Sequence, residues 1–528
     1  MLVTISTRAL ALGAVLLASA LANRLDVARN KGFHPNLARS LNGRAATPTE
    51  KRASQSYRYR NDNTESFLVE SLPDIPQTFM TEMYSGLIPI HEDEPDRALF
   101  FVFQPRIGGP PVDEITIWMN GGPGCSSLEG FLQETGYIRW TWGQYAPTKN
   151  DYSWVNLTNV LWVEQPVGTG FSIGKPNATS EEDIASDFIK FFKNFQTTFG
   201  IKNHKVYVTG ESYAGRYVPY IADAMLDQND TCYYDVQGAL MYDPCIGAYD
   251  VQNDMYTLPF AEANNNVINY NASFMEHLAT MDEECGFSDF RDQYMQFPPS
   301  GVQPPLMESK AKCEVWNEAY YAAWTVNPCF NVYMLGFTCP LLSDPLGYPT
   351  DLQLSYPGLP VYFNRTDVKK AIHAPMDVEW LECAPHPVFK GNGGPQGLGD
   401  LSADPIQKVL PRVIEATNRV FISNGALDMD VLTNSTLLAI QNMVNYPSPN
   451  IPAPPTDSLN FKTWNGMMGF QSGPNKWQDI DITLPDLEYQ DLFEQTGLGG
   501  LDRYQGIMGK QHYERGLMFT ETYLSGHM

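Results

Sequence analysis

Residues 210–215, with the sequence GESYAG, place a serine between small residues where a strand-like run meets a helix-compatible run at 217–226. In so tight a turn, side chains two residues before and two after the serine collide unless both are small, and Gly210 and Ala214 meet that condition. The segment therefore predicts a nucleophile elbow that presents Ser212 to a carbonyl carbon. Such a hexapeptide also occurs in ordinary turns, so other residues have to support the interpretation.

An activated serine needs a base within hydrogen-bond reach and an acid that orients the base. In hydrolases with a nucleophile elbow, these residues follow in the order Ser, Asp, His, each after a later strand. Asp428 and His527 occur in that order, each directly after a strand-like run and close to a glycine. The spacing predicts Ser212, Asp428 and His527 as a catalytic triad, with the nearby Asp430 as a rival acid. The alternatives are a surface-turn aspartate and a histidine at a frayed end.

The segments around these residues alternate between strands and helices. Apolar runs at 99–103, 115–119, 160–163, 206–209, 361–363, 419–423 and 517–523 predict strands, and 366–372 predicts a helix. A further helix is expected from residue 181, capped by Thr179 or Ser180, with acidic residues in its first turn and an apolar stripe from Ile184 to Phe199. This alternation favours an α/β fold with a mostly parallel sheet covered by helices on both faces.

Length and composition fit one large catalytic domain. The chain has 528 residues, and six of its eight cysteines lie between Cys232 and Cys339, so residues 235–360 are predicted to be a disulfide-stapled insertion. Asp and Glu number 60 against 35 Lys and Arg, a net charge of -25 that disfavours nucleic acid as a partner. Neither the length nor the charge indicates an oligomeric state.

The N-terminal residues indicate export. Arg8 precedes an apolar run that ends in small residues, which predicts a signal peptide at 1–22, and this run is too short to predict a membrane span. The dibasic pair at the end of 23–52 suggests a propeptide, with a chance Lys-Arg pair as the alternative, so that the catalytic domain would occupy 53–528. A secreted or vacuolar location follows. Glycosylation is predicted at the N-x-S/T asparagines Asn156, Asn177, Asn229, Asn271, Asn364 and Asn434.

The cysteines also favour an oxidising compartment. Eight cysteines in an exported chain predict four disulfides. Cysteines and histidines with the spacing of metal ligands are absent from the sequence, so no metal and no cofactor are expected.

Four blocks, at 118–127, 163–172, 210–219 and 525–528, resemble the serine carboxypeptidases, secreted and vacuolar acid peptidases of α/β-hydrolase fold, in their fungal form. The resemblance runs from about Leu68 to the last residue. It implies that the triad is Ser212, Asp428 and His527, and that the backbone N–H groups of Gly122 and Tyr213 form the oxyanion hole.

The resemblance also implies recognition of a free C-terminal carboxylate by Asn120, Gly121, Glu134 and Glu211. Two carboxyl groups held close together share a proton, so one of them donates a hydrogen bond to the substrate carboxylate. Tighter substrate binding at acid pH is the expected consequence. The alternative for Glu134 is a charge on a helix surface.

Disulfides implied by the resemblance are Cys125 with Cys383 and Cys232 with Cys245. The other four cysteines allow three pairings, of which the nested one, Cys285 with Cys339 and Cys313 with Cys329, is our guess. Relatives continue beyond the catalytic histidine with a Val-Pro run and a helix, so the C-terminal tail of the family is expected to be missing after Met528.

The leading functional hypothesis is a serine-type carboxypeptidase that releases C-terminal amino acids from peptides and proteins through an acyl-enzyme, favoured at acid pH. One alternative is an acyltransferase or esterase on the same scaffold, against which Glu134 and Glu211 argue. The other is an inactive, truncated homologue with a binding or protective role.

Overall fold

The computed structural model of the chain describes residues 57–304, 313–347, 361–394, 397–443, 468–472, 480–482 and 508–527. Most of its strands form one ten-stranded sheet. The strands in chain order are β1 Tyr84–Pro89, β2 Ala98–Gln104, β3 Glu114–Met119, β4 Ile138–Arg139, β5 Thr148–Lys149, β6 Asn159–Glu164, β7 Lys205–Glu211, β8 Asp235–Tyr242, β9 Val420–Gly425, β10 Ile480–Ile482, β11 Gly509–Glu514 and β12 Leu517–Thr522. Strands β4 and β5 form a separate pair.

The large sheet has the order β1-β2-β6-β3-β7-β8-β9-β12-β11-β10. Its centre, from β6 to β12, is parallel, and the strands outside it pair antiparallel. Parallel strands end at the same edge of a sheet, where open α/β sheets bind their ligands. The residues that follow β3, β7, β9 and β12 therefore meet at one edge, and these include the predicted site residues.

Helices flank the sheet and form much of the insertion. They are α1 Glu181–Phe199, α2 Ala214–Asp227, α3 Tyr249–Asn253, α4 Thr257–Ile268, α5 Ala272–Glu284, α6 Phe287–Tyr294, α7 Val315–Val326, α8 Thr366–Ala371, α9 Val409–Thr417 and α10 Thr433–Gln441. A π-helical turn, Gly130–Glu134, follows β3. The predicted mostly parallel sheet flanked by helices is thus present. None of the helices in the described ranges combines the length and the apolar character needed to cross a lipid bilayer.

Helix α1 illustrates how the apolar stripe packs. Its Phe195 ring lies 5.3 Å from the ring of Phe101 and 5.2 Å from that of Phe103, both on β2. The helix begins after Ser180, and Gly200 ends it in the left-handed conformation at φ 68°. The stripe is therefore a core face, as the sequence predicts.

One predicted boundary shifts, and one predicted element is wrong. Residues 235–242 are β8, between β7 and β9 in the sheet, so the insertion begins after Tyr242, a few residues later than the predicted start at about 235. The predicted strand at 361–363 is instead a 3-10 turn, Tyr362–Asn364. Tyr362 and Phe363 are buried in an apolar cluster, and such burial favours the same aromatic residues as strand pairing does.

The disulfides differ in part from the expected set. Cys125 is bonded to Cys383, as the resemblance implies. Cys285–Cys313 and Cys329–Cys339 are the other bridges in the described residues, so the nested guess is wrong. Both bridges lie within the insertion and join cysteines that are close in sequence, with separations of 28 and 10 residues. Neither requires distant parts of the chain to meet.

The predicted Cys232–Cys245 bridge is wrong, because both cysteines are unbridged. Strand β8 runs between them. Its eight residues span about 26 Å at roughly 3.3 Å per residue, whereas bridged cysteines have Cα atoms no more than about 7 Å apart. The predicted signal peptide, propeptide and Pro-rich loop at 447–455 lie outside the described residues.

Candidate active site

The turn between β7 and α2 has the geometry of a nucleophile elbow. Ser212 has a φ of 59°, a left-handed conformation that is rare for a residue with a side chain. A Cβ atom on Gly210 would lie 2.7 Å from the Cβ of Ala214, which explains the need for small residues at both positions. The N–H of Ser212 donates to Tyr242 O at 2.9 Å, and the carbonyl of Ser212 accepts from Cys245 N at 3.0 Å. Bonds from the β8 end of the sheet therefore hold the strained turn in place.

The predicted acid and base are in contact. Nδ1 of His527 lies 2.7 Å from Oδ2 of Asp428, which leaves Nε2 as the ring nitrogen available for proton transfer. Asp428 is completely buried, and the Asp430 N–H donates to its Oδ1 at 2.7 Å. Burial raises the pKa of Asp428, and the N–H groups of Asp430 and Val431 oppose that shift. The His527 contact thus favours Asp428 over its rival Asp430.

The loop that carries His527 packs closely on the turn that carries Asp428. A Cβ atom on Gly425 would lie 2.1 Å from the carbonyl oxygen of Gly526, so only glycine fits there. From the insertion, the carbonyl of Tyr333 accepts the N–H of His527 at 2.7 Å, and the two rings lie 5.1 Å apart. No hydrogen bond joins His527 to Ser212 within the described ranges, and such bonds often form only when substrate is bound.

Asp243 is a residue at this edge that sequence reasoning missed. Its carboxylate lies within 4.8 Å of ligand atoms of Asp428 and His527, and its Oδ1 accepts the N–H of Gly425 at 2.7 Å. It follows directly after β8, so its place at the carboxyl end of a parallel strand is the signal that could have revealed it.

The loop after β3 lies against the elbow. A Cβ atom on Gly121 would be 2.4 Å from the backbone nitrogen of Tyr213 and 2.8 Å from the Cβ of Ser212. Gly122 has a φ of 109°, which only glycine adopts readily. In the described part of the chain, the N–H groups of Gly122 and Tyr213 donate to no backbone carbonyl. Tyr213 directly follows Ser212, and Gly122 follows the glycine that touches the elbow, so the hydrogen-bonding capacity of both N–H groups is unused by the backbone near Ser212.

The side chain of Tyr213 is held by a network of buried charged residues. Its hydroxyl donates to Oδ2 of Asp400 at 2.7 Å, and Asp400 is completely buried. Arg216 lies 3.7 Å from the same Oδ2 atom and bonds to Asp404 at 2.6 Å. This buried network fixes the backbone that follows Ser212.

The four residues predicted to bind a carboxylate are also near one another. The amide nitrogen Nδ2 of Asn120 donates to Glu211 at 2.6 Å and to Glu134 at 3.2 Å. Its Oδ1 accepts from Trp118 Nε1 at 2.7 Å, which fixes the orientation of the amide. Gly121 connects this group to the elbow.

The two glutamates are in an environment that favours the protonated form. Burial raises the pKa of Glu134 to about 8, and the nearby carboxyl of Glu129 adds to the shift. Burial and the Glu134 charge raise the pKa of Glu211 well above its ordinary value. Oε2 of each glutamate is buried and receives no hydrogen bond from any donor among the described residues. Glu134 is therefore part of a buried carboxyl pair and not a charge on a helix surface.

Further acidic residues that sequence reasoning missed adjoin this pair. A carboxylate oxygen of Glu129 lies within 4.8 Å of those of Glu134 and Glu211. Glu129 is hydrogen-bonded to Glu382, and Asp344 is a third acidic neighbour. Burial raises the pKa of Glu129 to about 7. Glu129 precedes Glu134 by one π-helical turn, but nothing in the sequence pattern brings Glu382 to it.

Behind the loop after β3, the buried Glu164 accepts from Ser126 and from Trp380, the latter at 3.2 Å. Burial raises the pKa of Glu164 to about 7, and these hydrogen bonds oppose the shift. This interior contact joins the loop after β3 to the second half of the chain.

Among the described residues, two clusters have enough ligand atoms close together to hold an ion, namely Asp243 with Asp428 and His527, and Glu129 with Glu134 and Glu211. In the first, the short bond to Asp428 already occupies the Nδ1 atom of His527. In the second, raised pKa values favour protonation over the ionised form that a metal needs. Protonation and hydrogen bonding thus account for both clusters.

The predicted glycosylation sites differ in exposure. Asn177, Asn229, Asn271 and Asn434 are exposed, whereas Asn156 and Asn364 are half-buried. The Nδ2 atom of Asn364 donates to Trp380 O at 2.7 Å, so attachment of a glycan there would disturb an existing contact.

The parallel sheet, the elbow at Ser212 and the Asp428–His527 pair after later strands define the chain as an α/β-hydrolase. The family described as "Serine carboxypeptidase" matches residues 73–468. Serine-type carboxypeptidase F of Aspergillus niger is 54% identical over 481 residues, which cover 90% of this chain and 85% of that protein.

A probable serine carboxypeptidase of Arthroderma benhamiae is 40% identical over 501 residues, covering 92% of this chain and 86% of that protein. Among solved structures, the prohormone-processing carboxypeptidase Kex1(delta)p of Saccharomyces cerevisiae has a TM-score of 0.59 at 22% identity, covering 88% of this chain and 91% of that chain. The latter shows the fold. The chain belongs to the serine carboxypeptidase family; it is a hydrolase of that type, with peptides as its substrates.

We predict that Tyr213→Phe destabilises the fold more than Tyr220→Phe. The first loses a bond to the buried carboxylate of Asp400, and the second, seven residues later on α2, loses a bond to the neutral carbonyl of Ala403. Expected losses in the free energy of unfolding are about 1.5–3 kcal/mol and about 0.5–1.5 kcal/mol. Urea unfolding measures both, and an equal or smaller loss for Tyr213→Phe would show that Asp400 does not anchor it.

Stability should fall as the pH rises from about 4.5 towards 8. Glu129, Glu134 and Glu164 have pKa values raised from 4.5 to about 7, 8 and 7, so the folded chain binds their protons more tightly than the unfolded chain does. The resulting stabilisation is complete below the unfolded value and is lost as the pH rises through the folded values. Melting temperatures across this range measure it.

The matched variants for this pH effect are Glu164→Gln and Glu182→Gln, since Glu182 is exposed. Glu164→Gln should make the melting temperature fall less between pH 5 and 8, because one of the carboxyl groups with a raised pKa is then absent. Glu182→Gln should leave this fall unchanged. A melting temperature that rises over this range in the unmodified chain would contradict the raised pKa values.

Proposed function

We propose that the chain is an exopeptidase that removes single residues from the free C-terminus of peptides and proteins, with Ser212, His527 and Asp428 as its triad. The observation that carries this proposal is the position of Gly121. It lies in contact with the elbow, while its neighbour Asn120 holds the two glutamates. One short loop thus connects the attacking serine to a site for a carboxylate.

The proposed reaction uses an acyl-enzyme. Ser212 Oγ attacks the carbonyl carbon of the last peptide bond and gives its proton to Nε2 of His527, while Asp428 stabilises the imidazolium through Nδ1. The N–H groups of Gly122 and Tyr213 donate hydrogen bonds to the carbonyl oxygen and stabilise the negative charge that develops on it. The C–N bond then breaks, His527 passes the proton to the leaving amine, and water releases the acyl group by the same steps.

Carboxylate recognition limits the reaction to chain ends. A proton shared by Glu134 and Glu211 supplies a donor for the terminal carboxylate of the substrate, and the Asn120 amide holds both glutamates in place. A peptide that continues beyond this point has no carboxylate to place there and meets the buried glutamates instead. The same proton makes binding pH-dependent, because its loss leaves two negative charges opposite the substrate carboxylate.

A location in the secretory pathway, secreted or vacuolar, is part of the proposal. Three disulfides in the described residues and four exposed sequons support it, since such bonds persist in oxidising compartments.

Blocked dipeptides with a free or an amidated C-terminus test the proposed specificity. The protein should release the last residue from the free acid, and Ser212→Ala should lower kcat by about 10⁴-fold or more. Quantification of the released amino acid or amide measures both rates. Faster release from the amide would contradict carboxylate recognition, and full activity of Ser212→Ala would contradict its role as nucleophile.

The double variant Glu134→Gln, Glu211→Gln should remove the pH dependence of KM. In the unmodified protein we expect KM to rise as the pH passes about 8, where Glu134 loses its proton. Glutamine cannot ionise, so KM in the double variant should stay level. Glu182→Gln on the exposed face of α1 is the control and should retain the native profile. A KM that does not change with pH in the unmodified protein would reject the shared proton.

A further inference from the structure

Residues 329–339 of the insertion form a loop whose first and last residues are joined by a disulfide. Side chains brace its backbone. Oδ1 of the buried Asn331 accepts the N–H of Tyr333 at 2.9 Å. Nδ2 of Asn327 donates to the carbonyl of Phe337 at 2.9 Å. The loop is therefore held in one conformation, although none of the described helices and strands runs through it.

This loop is bonded to the backbone on both sides of Asp428. The carbonyl of Val332 accepts the N–H of Met429 at 2.9 Å. The N–H of Leu335 donates to the carbonyl of Leu427 at 3.2 Å. Because these are main-chain bonds, they depend on the path of the loop and not on the type of side chain that it carries.

The same loop also holds the base. Among the described residues, His527 makes one backbone hydrogen bond, from its N–H to the carbonyl of Tyr333 at 2.7 Å. A Cβ atom on Gly526 would be 2.0 Å from that carbonyl oxygen and 3.0 Å from the Cα of Met334, so only glycine allows this approach. Four consecutive residues of the loop thus contact both the turn of the acid and the loop of the base.

We propose that the 329–339 loop positions Asp428 and His527 relative to each other, and that the Cys329–Cys339 bridge holds the loop in the conformation that does so. The inference rests on the proposed function, which makes these two residues the acid and the base. They follow different strands and meet through one bond of 2.7 Å, so a support common to both fixes that bond. Without the bridge the loop would have more conformations. A misplacement of about 1 Å lowers a rate by up to about 100-fold.

Removal of the bridge tests the proposal. The double variant Cys329→Ser, Cys339→Ser should lower kcat for a blocked dipeptide with a free C-terminus by about tenfold or more. KM should stay within about twofold of the native value, because no hydrogen bond between described residues joins the loop to Asn120, Glu134 or Glu211. Assays are run well below the melting temperature of each variant.

The other bridge of the insertion, Cys285–Cys313, provides the matched control. It joins the end of α5 to the segment before α7, and in the described ranges neither cysteine makes a backbone hydrogen bond to His527 or to the neighbours of Asp428. It spans 28 residues against 10, so its loss should lower the melting temperature at least as much. Cys285→Ser, Cys313→Ser should nevertheless keep kcat within about twofold of the native value.

Asn331 allows a test in which both bridges remain. Asn331→Ala removes the bond to the Tyr333 N–H and should lower kcat by about threefold to tenfold. A serine hydroxyl can accept the same N–H, so Asn331→Ser should restore most of the lost rate. Rescue by serine would show that the path of the loop, and not the amide itself, is what the rate requires.

Inactivation by diisopropyl fluorophosphate measures the same effect without a peptide. This reagent has no carboxylate and reacts with a serine that a base activates. Its rate constant does not depend on how much of the sample is folded, and the amount bound at completion counts the active molecules for kcat. The rate constant should fall in Cys329→Ser, Cys339→Ser and in Asn331→Ala, and it should keep its native value in the control.

The outcomes separate this inference from the function on which it rests. Equal losses of kcat in the two double variants would overturn the positioning role, as would native rate constants of inactivation in Cys329→Ser, Cys339→Ser. If that variant does not fold, a native rate constant in Asn331→Ala would overturn it. Failure of the unmodified protein to release a residue from the peptide would overturn the proposed function, and the inactivation rates would still decide on the positioning role.

Discussion

The close approach of the loop after β3 to the turn after β7 is the constraint on which the rest of the site depends. Gly121 lies so near Tyr213 that a Cβ atom would be 2.4 Å from the backbone nitrogen. Any other residue would push the two segments apart, and with them Gly122 and Ser212. Parallel pairing of β3 with β7 sets this approach, since Met119 pairs with Gly210 one step before both turns. The sheet register therefore determines the geometry at Ser212.

The same loop brings several carboxyl groups into a small volume that contains no paired cation among the described residues. Burial of a charge without a partner is costly, and protonation is the response that the raised pKa values of Glu129 and Glu134 indicate. A proton is a suitable partner for a group that has to meet a substrate carboxylate, because an arginine would bind any anion at any pH. Under the proposed function, recognition through a shared proton makes substrate binding sensitive to pH instead.

Sequence reasoning predicted those features that local pattern determines. The apolar stripe of α1, the small residues of the elbow and the order of Ser212, Asp428 and His527 each follow from spacing or from strand and turn chemistry. What it could not predict depends on tertiary contact. Cys232 and Cys245 are close in sequence, but β8 separates them. Glu382 joins the site from a segment whose own pattern carries no sign of it, and Asp243 joins it from the end of β8, a strand that the sequence analysis did not predict.

The resemblance to a family supplied the carboxylate site, but it could not supply what surrounds that site. Glu382 reaches Glu129 because the Cys125–Cys383 disulfide joins a segment near residue 380 to the loop after β3. Trp380 supports the same junction from the interior through Ser126 and Glu164. The segment that bears Glu382 is thus covalently connected to the loop that bears Asn120 and Gly121. This junction does not itself position the nucleophile or the acid, because β7 and β9 carry the turns of Ser212 and Asp428.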